Sequence, residues 1–148
     1  MVNARAKGGE GEREIANLLN DIIAKKLREL GREVPDRPIV QRNQNQSAVG
    51  GSDLTNTFGL AIEVKRQETL TINSWWRQCV ASAVRNKEEP VLIYRQNRKA
   101  WHVVMNGWIG QLDSLHGCTM TVSMEDFLSW FAVHVEKCLG QGDFTFRI

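Results

Sequence analysis

Cysteine is scarce: three residues in a chain of 148, at positions 79, 118 and 138. None forms a Cys-x-x-Cys pair, which argues against a disulfide framework and against the paired ligand spacing of a structural zinc site. His116 and Cys118 stand alone and do not supply the four ligands that tetrahedral zinc needs. Long apolar runs are missing too. No stretch reaches the roughly 20 residues that span a bilayer, and none has the pattern of a signal-peptide core. The expectation is a soluble protein with no membrane partner, cytoplasmic in a bacterial or archaeal host, where a phage origin would suit so compact a chain. Charge of one sign is also limited. The net charge of +2 and pI near 8.5 permit nucleic-acid binding without demanding it. No repeat, low-complexity tract or composition break divides the chain, so residues 1–148 are expected to form a single domain.

Hydrophobic content of 42% and charged content of 24% are ordinary for a globular domain. Residues 1–9 are small, basic and glycine-bearing, and are expected to be a flexible lead-in. Over 11–30 the apolar residues Ile15, Leu18, Leu19, Ile22, Ile23, Leu27 and Leu30 repeat with a helical period, and Gly31 supplies a stop. At about 100° per residue, Glu12 lies within roughly 40° of the centre of that stripe. Glu14 lies roughly 120° away and Glu10 roughly opposite, so both are expected at solvent. An inward Glu12 needs a partner or must cap the helix end. Further strands are expected at 39–42, 52–55, 60–65, 90–94, 101–105 and 119–122. A helix capped by Asn73 or Ser74 is expected to end near Asn86, and a helix over 124–139 follows the Ser123…Asp126 capping signal. Residues 107–117 look irregular, and the alternating tail at 144–148 could add an edge strand. Helices interleaved with strands give an α/β domain with a central mixed sheet flanked by helices.

The stretch 50–65 carries the chemistry. Asp53 follows a Gly-Gly turn, and Glu63 and Lys65 sit two apart in a run otherwise made of Leu60, Ala61, Ile62 and Val64. Residues i and i+2 of a strand share a face, so Glu63 and Lys65 project together, opposite Leu60, Ile62 and Val64. Ala61 on their face would leave room for a backbone phosphate. Two carboxylates can hold Mg²⁺ while leaving sites for water and a phosphate oxygen, and an adjacent lysine can stabilise developing negative charge. Taken singly, Asp53 could be a turn residue and Glu63–Lys65 a solvated ion pair.

Asp53, nine residues, then Glu63-Val64-Lys65 resembles the D…E-x-K core of the PD-(D/E)xK nuclease superfamily. Lys7-Gly8, three residues, then Glu12-Arg13-Glu14 resembles the opening of the archaeal-type Holliday-junction resolvases. The resemblance covers roughly the first half of the chain. Ser52 replaces the family's proline, and Arg42 approximates its basic pre-strand residue. The resemblance implies a restriction-endonuclease-like core and a Mg²⁺-dependent endonuclease, with Mn²⁺ able to substitute. It also implies a homodimer that acts on branched DNA such as a four-way junction. By the same analogy Glu12, Asp53 and Glu63 hold metal or position water, the Val64 carbonyl is a further ligand, and Lys65 is the catalytic lysine.

Lys7, Arg13, Arg42, Arg66 and Arg77 could contact phosphates, as could the 95–99 hairpin tip with Arg95, Arg98 and Lys99, although such a tip could equally be only solvated. Gln78 could reach the site from its helix or be a surface glutamine. Trp75 and Trp76 cannot share a face, so at least one is assigned to the core or a dimer interface. The same acids also suit a repair, restriction-type or single-strand nuclease. A function of another class, a non-catalytic DNA-binding module with structural acids, stays open at this stage.

Overall fold

The computed structural model describes residues 4–44, 52–111 and 114–141, with side chains from Gly9 onward other than those of Gln111, Ser114 and Leu115. Helix α1 spans Ala4–Glu29. It therefore begins ahead of the expected residue 11, and 4–9 are helical rather than a flexible lead-in. Ile15, Leu19, Ile23 and Leu27 recur every fourth position and are all buried, so one stripe of the helix faces the core. Gly31 ends it with φ +68°. Gly31 N–H donates to Arg28 O (3.0 Å) and Arg32 N–H to Leu27 O (2.8 Å), the paired bonds of a Schellman cap.

Next come the two-residue strands β1 (Gln41–Arg42) and β2 (Leu54–Thr55), paired antiparallel. A turn with positive φ at Asn56, Phe58 and Gly59 leads into β3 (Leu60–Arg66). Helix α2 (Ile72–Asn86) crosses to β4 (Glu89–Arg95), which lies parallel to β3. The cap of α2 is Thr71, not Asn73 or Ser74, and its side chain makes no capping bond. β5 (His102–Gln111) and β6 (Ser114–Ser123) follow antiparallel, completing a mixed sheet of order β3-β4-β5-β6. Helix α3 occupies Met124–Leu139, and the Ser123 hydroxyl accepts from Asp126 N–H at 3.0 Å as its capping signal implies.

Of the stretch expected to be irregular, 107–111 and 114–117 are regular strand. Its glycines sit under large neighbours. A Cβ on Gly107 would collide with Met120 Sδ, and one on Gly117 would meet the Trp108 ring at 3.4 Å. Glycine here makes room for a side chain across the ladder instead of breaking the strand. The tail strand expected at 144–148 and most of the 43–51 loop fall outside the described residues.

The sheet separates two apolar clusters. Leu60, Ile62 and Val64 of β3 join α1 and α3, with Phe127 and Phe131 fully buried among them. On the other face α2 places Trp75 and Cys79 against Leu92, Tyr94 and Val104, with Trp76 partly buried at the margin. Ala61, Glu63 and Lys65 therefore lie on the α2 side, and the start of β2 abuts β3 through Asp53 N–H to Ile62 O (3.0 Å).

Candidate active site

Asp53 is fixed before its side chain does anything. Its N–H bonds β3, its C=O accepts from Asn43 N–H at 2.8 Å, and its carboxylate Oδ2 accepts from Val64 N–H at 2.7 Å. That last bond sets Asp53 beside β3 between Glu63 and Lys65. Asn43 adds a second tie, donating from Nδ2 to Ser52 O at 3.0 Å. Ser52 and Asp53 are both buried.

Glu63 faces Asp53, and the two carboxyls share a hydrogen bond. Burial is the main reason the Glu63 carboxyl is pushed up to about 8. The charge and hydrogen bond of Asp53 add to it, and Lys65 works against it. Asp53 is also raised by burial, opposed first by the Val64 N–H. The charge of Glu12 raises both acids, and that of Lys65 lowers both. Glu12, Asp53, Glu63 and Lys65 thus form one electrostatic neighbourhood. A buried and a half-buried carboxyl pressed together, both raised by burial, form a donor pair whose mutual repulsion a bound divalent cation would relieve. Cys79 lies beneath: burial and then the Glu63 charge push its thiol up to about 12, so it stays protonated.

Glu12 is buried as its wheel position implies, but its carboxylate is taken by Arg42, whose Nε donates to Oε2 at 2.6 Å. Among the described residues no group of three or more His, Cys, Asp or Glu side chains converges to hold a metal ion. The donors brought together are the Asp53–Glu63 pair.

Other expectations divide. Ala61 is fully buried with Cys79 Sγ 3.5 Å from its carbonyl oxygen, so α2 covers the place once assigned to a phosphate. Arg66 is half-buried and pairs with Glu10 at 3.3 Å. Arg13, Arg77 and Gln78 are exposed, the last two on α2. The Lys7 side chain lies outside the described set. Glu10 and Glu14 are exposed as expected yet not free. Glu14 accepts from Trp101 Nε1 at 3.1 Å and pairs with Arg95 at 3.7 Å, and Arg95 stacks on Trp101 at 5.1 Å. Gly11 lies against this join, where a Cβ would touch Trp101 at 3.4 Å and Val64 at 3.5 Å, ordinary contact distances. The wheel located the core stripe but carried no information about basic residues at the strand ends. His134 was also missed: its Nε2–H donates to Phe58 O at 2.8 Å and holds the turn before β3. No sequence signal marked it. A groove of about 970 Å³ between the β5–β6 hairpin and α3 is lined by Glu89 and Asp126 but by none of Glu12, Asp53 and Glu63.

A family model described as "Phage putative PDDEXK endonuclease" matches residues 3–127. None of the curated proteins matches the sequence. Among solved structures, the Holliday junction resolvase Hjc of the archaeal hyperthermophile Archaeoglobus fulgidus is similar at 17% identity, over 62% of this chain and 85% of that one, with a TM-score of 0.37.

Proposed function

Because the chain belongs to the phage PDDEXK endonuclease family, and is a metal-dependent endonuclease of restriction-endonuclease-like fold, we propose that Asp53, Glu63 and Lys65 form its catalytic centre and that its substrate is branched DNA. The observation that carries the site is the pairing of buried Asp53 with half-buried Glu63 beside Lys65, with the Glu63 carboxyl raised to about 8. The branched-DNA reading rests on the Lys7-Gly8…Glu12-Arg13-Glu14 spacing upstream of Asp53…Glu63-Val64-Lys65.

Asp53 and Glu63 would hold a Mg²⁺ ion, with the Val64 carbonyl as a further ligand and Mn²⁺ able to replace it. When bound, the cation lowers the pKa of a water and offsets charge on the attacked phosphate. The chain's own residues do the rest. The Val64 N–H keeps Asp53 at a fixed angle to Glu63. Lys65, on the same strand face, holds an ammonium where negative charge develops on the phosphate oxygens. Arg13 is exposed near the start of α1 and contributes backbone contacts that carry no sequence information. A homodimer would present two such centres to two strands of a junction.

The test is cleavage of labelled four-way, Y-shaped, nicked and linear duplexes with Mg²⁺. Preferential cutting of the four-way junction is expected. Equal cutting of linear duplex would replace the junction reading with a restriction or repair nuclease. Inertness on every substrate with both Mg²⁺ and Mn²⁺ would refute catalysis and favour a DNA-binding module.

A further inference from the structure

Among the described residues Glu12 is the acid of the neighbourhood whose carboxylate is held by an arginine. Its side chain is 11% exposed, whereas Arg42 is 40% exposed. The bond between them uses Arg42 Nε, at 2.6 Å. Among the described residues the terminal Nη groups have no protein acceptor, and they are the part of the guanidinium that forks onto phosphate oxygens.

The pair is placed from both sides. Asn20, two turns further along α1, donates to Val40 O at 3.0 Å and accepts Val40 N–H at 2.8 Å, tying the approach to β1 to the helix that carries Glu12. Arg42 then pairs with Leu54 across the β1–β2 ladder, one residue from Asp53. Gly9 opens the space: a Cβ there would lie 3.2 Å from Arg42 Nη2 and 3.3 Å from Cζ. An arginine whose backbone is pinned next to the acid-bearing segment, and whose Nε is held by a buried carboxylate, has its direction set, with its outer edge unpartnered among the described residues.

We infer that Glu12 is a positioning residue and not a metal ligand: it aims the Nη edge of Arg42 at a DNA backbone phosphate beside the Asp53–Glu63 pair. The inference rests on the proposed reading of that pair as the metal site. It divides the four charged residues by task. Asp53 and Glu63 hold the cation, and Glu12 acts on DNA through Arg42.

The experiment measures two affinities on the full chain. Mn²⁺ binding is followed by calorimetry without DNA, and binding to a labelled four-way junction by fluorescence anisotropy in EDTA, where nothing is cut. Glu12→Gln is expected to keep Mn²⁺ affinity within about threefold of wild type, whereas Asp53→Asn loses at least about tenfold. A charge-assisted hydrogen bond corresponds to a factor of about ten to a hundred, so Glu12→Gln and Arg42→Ala should each weaken junction binding in that range. The double variant should bind no worse than Arg42→Ala alone, because one removes what the other aims. Arg42→Lys should not restore binding, since lysine lacks the fork. Arg42→Ala keeps Glu12 and should keep Mn²⁺ binding, which separates lost contact from lost fold. Glu12→Gln losing Mn²⁺ as severely as Asp53→Asn would overturn the inference, as would additive losses in the double variant or full binding by Arg42→Lys. Asp53→Asn binding Mn²⁺ normally would instead overturn the metal-site reading beneath it.

Discussion

Replacing Glu63 by Gln should make the metal-free protein more stable while destroying its metal site. The Glu63 carboxyl rises from 4.5 to about 8 because it is buried beside Asp53. A folded-state value above the unfolded one means that the folded chain holds a proton the unfolded chain has released. Stability from this group is therefore greatest below pH 4.5 and is lost as pH rises towards 8. At about 1.4 kcal/mol per pH unit, the cost by pH 7 is about 3 kcal/mol, an upper value because the acid is coupled to Asp53. Glutamine keeps the shape and a hydrogen bond without that cost. For a domain of this size, 1–3 kcal/mol corresponds to a rise in Tm of roughly 3–10 °C. Thermal melts in EDTA at pH 7 should show Glu63→Gln above wild type, with the gap narrowing towards pH 5. Millimolar Mn²⁺ should raise wild type and leave the variant unmoved, since a ligand at about a hundred times its Kd adds about 2.7 kcal/mol. A variant that melts below wild type in EDTA at pH 7, or a gap that does not narrow with falling pH, would refute the reasoning.

Lys65→Ala should lower cleavage by at least about tenfold without weakening Mn²⁺ binding, because the lysine acts on the phosphate and not on the cation; rates and calorimetry on one sample check both. Trp101→Phe keeps an aromatic side chain but deletes the Nε1–H bond to Glu14 and part of the buried indole under Arg95, so it should cost about 1–3 kcal/mol in urea unfolding. Gly107→Val displaces the flexible, partly exposed Met120 side chain, so it should destabilise by no more than about 1 kcal/mol in urea unfolding, and Met120→Ala should remove that loss.

How much of this was legible in the sequence depends on what each feature rests on. Helix α3 was readable to the residue because its cap and apolar period are local, and the β3 alternation placed Glu63 and Lys65 on one face for the same reason. The β5–β6 hairpin was not. Its glycines looked like breakers, and only the cross-strand positions of Met120 and Trp108 explain them. Glu12 was correctly turned inward, but its partner lies thirty residues away and depends on how Asn20 clamps Val40. Glu10 and Glu14 looked solvated because a helical wheel records the core stripe and not the arginines at the ends of β3 and β4. Ala61 suggested open space because the sequence could not show that Cys79 would pack over it.

The most direct test is the initial rate of Mg²⁺-dependent cleavage of a labelled four-way junction by wild type and by Asp53→Asn. Asp53 is held by three hydrogen bonds whose effect is to keep its carboxylate against Glu63. Losing one of the two carboxylates should lower the rate by about a hundredfold or more at unchanged secondary structure. Cleavage by Asp53→Asn at the wild-type rate would contradict the assignment of this pair as the catalytic centre.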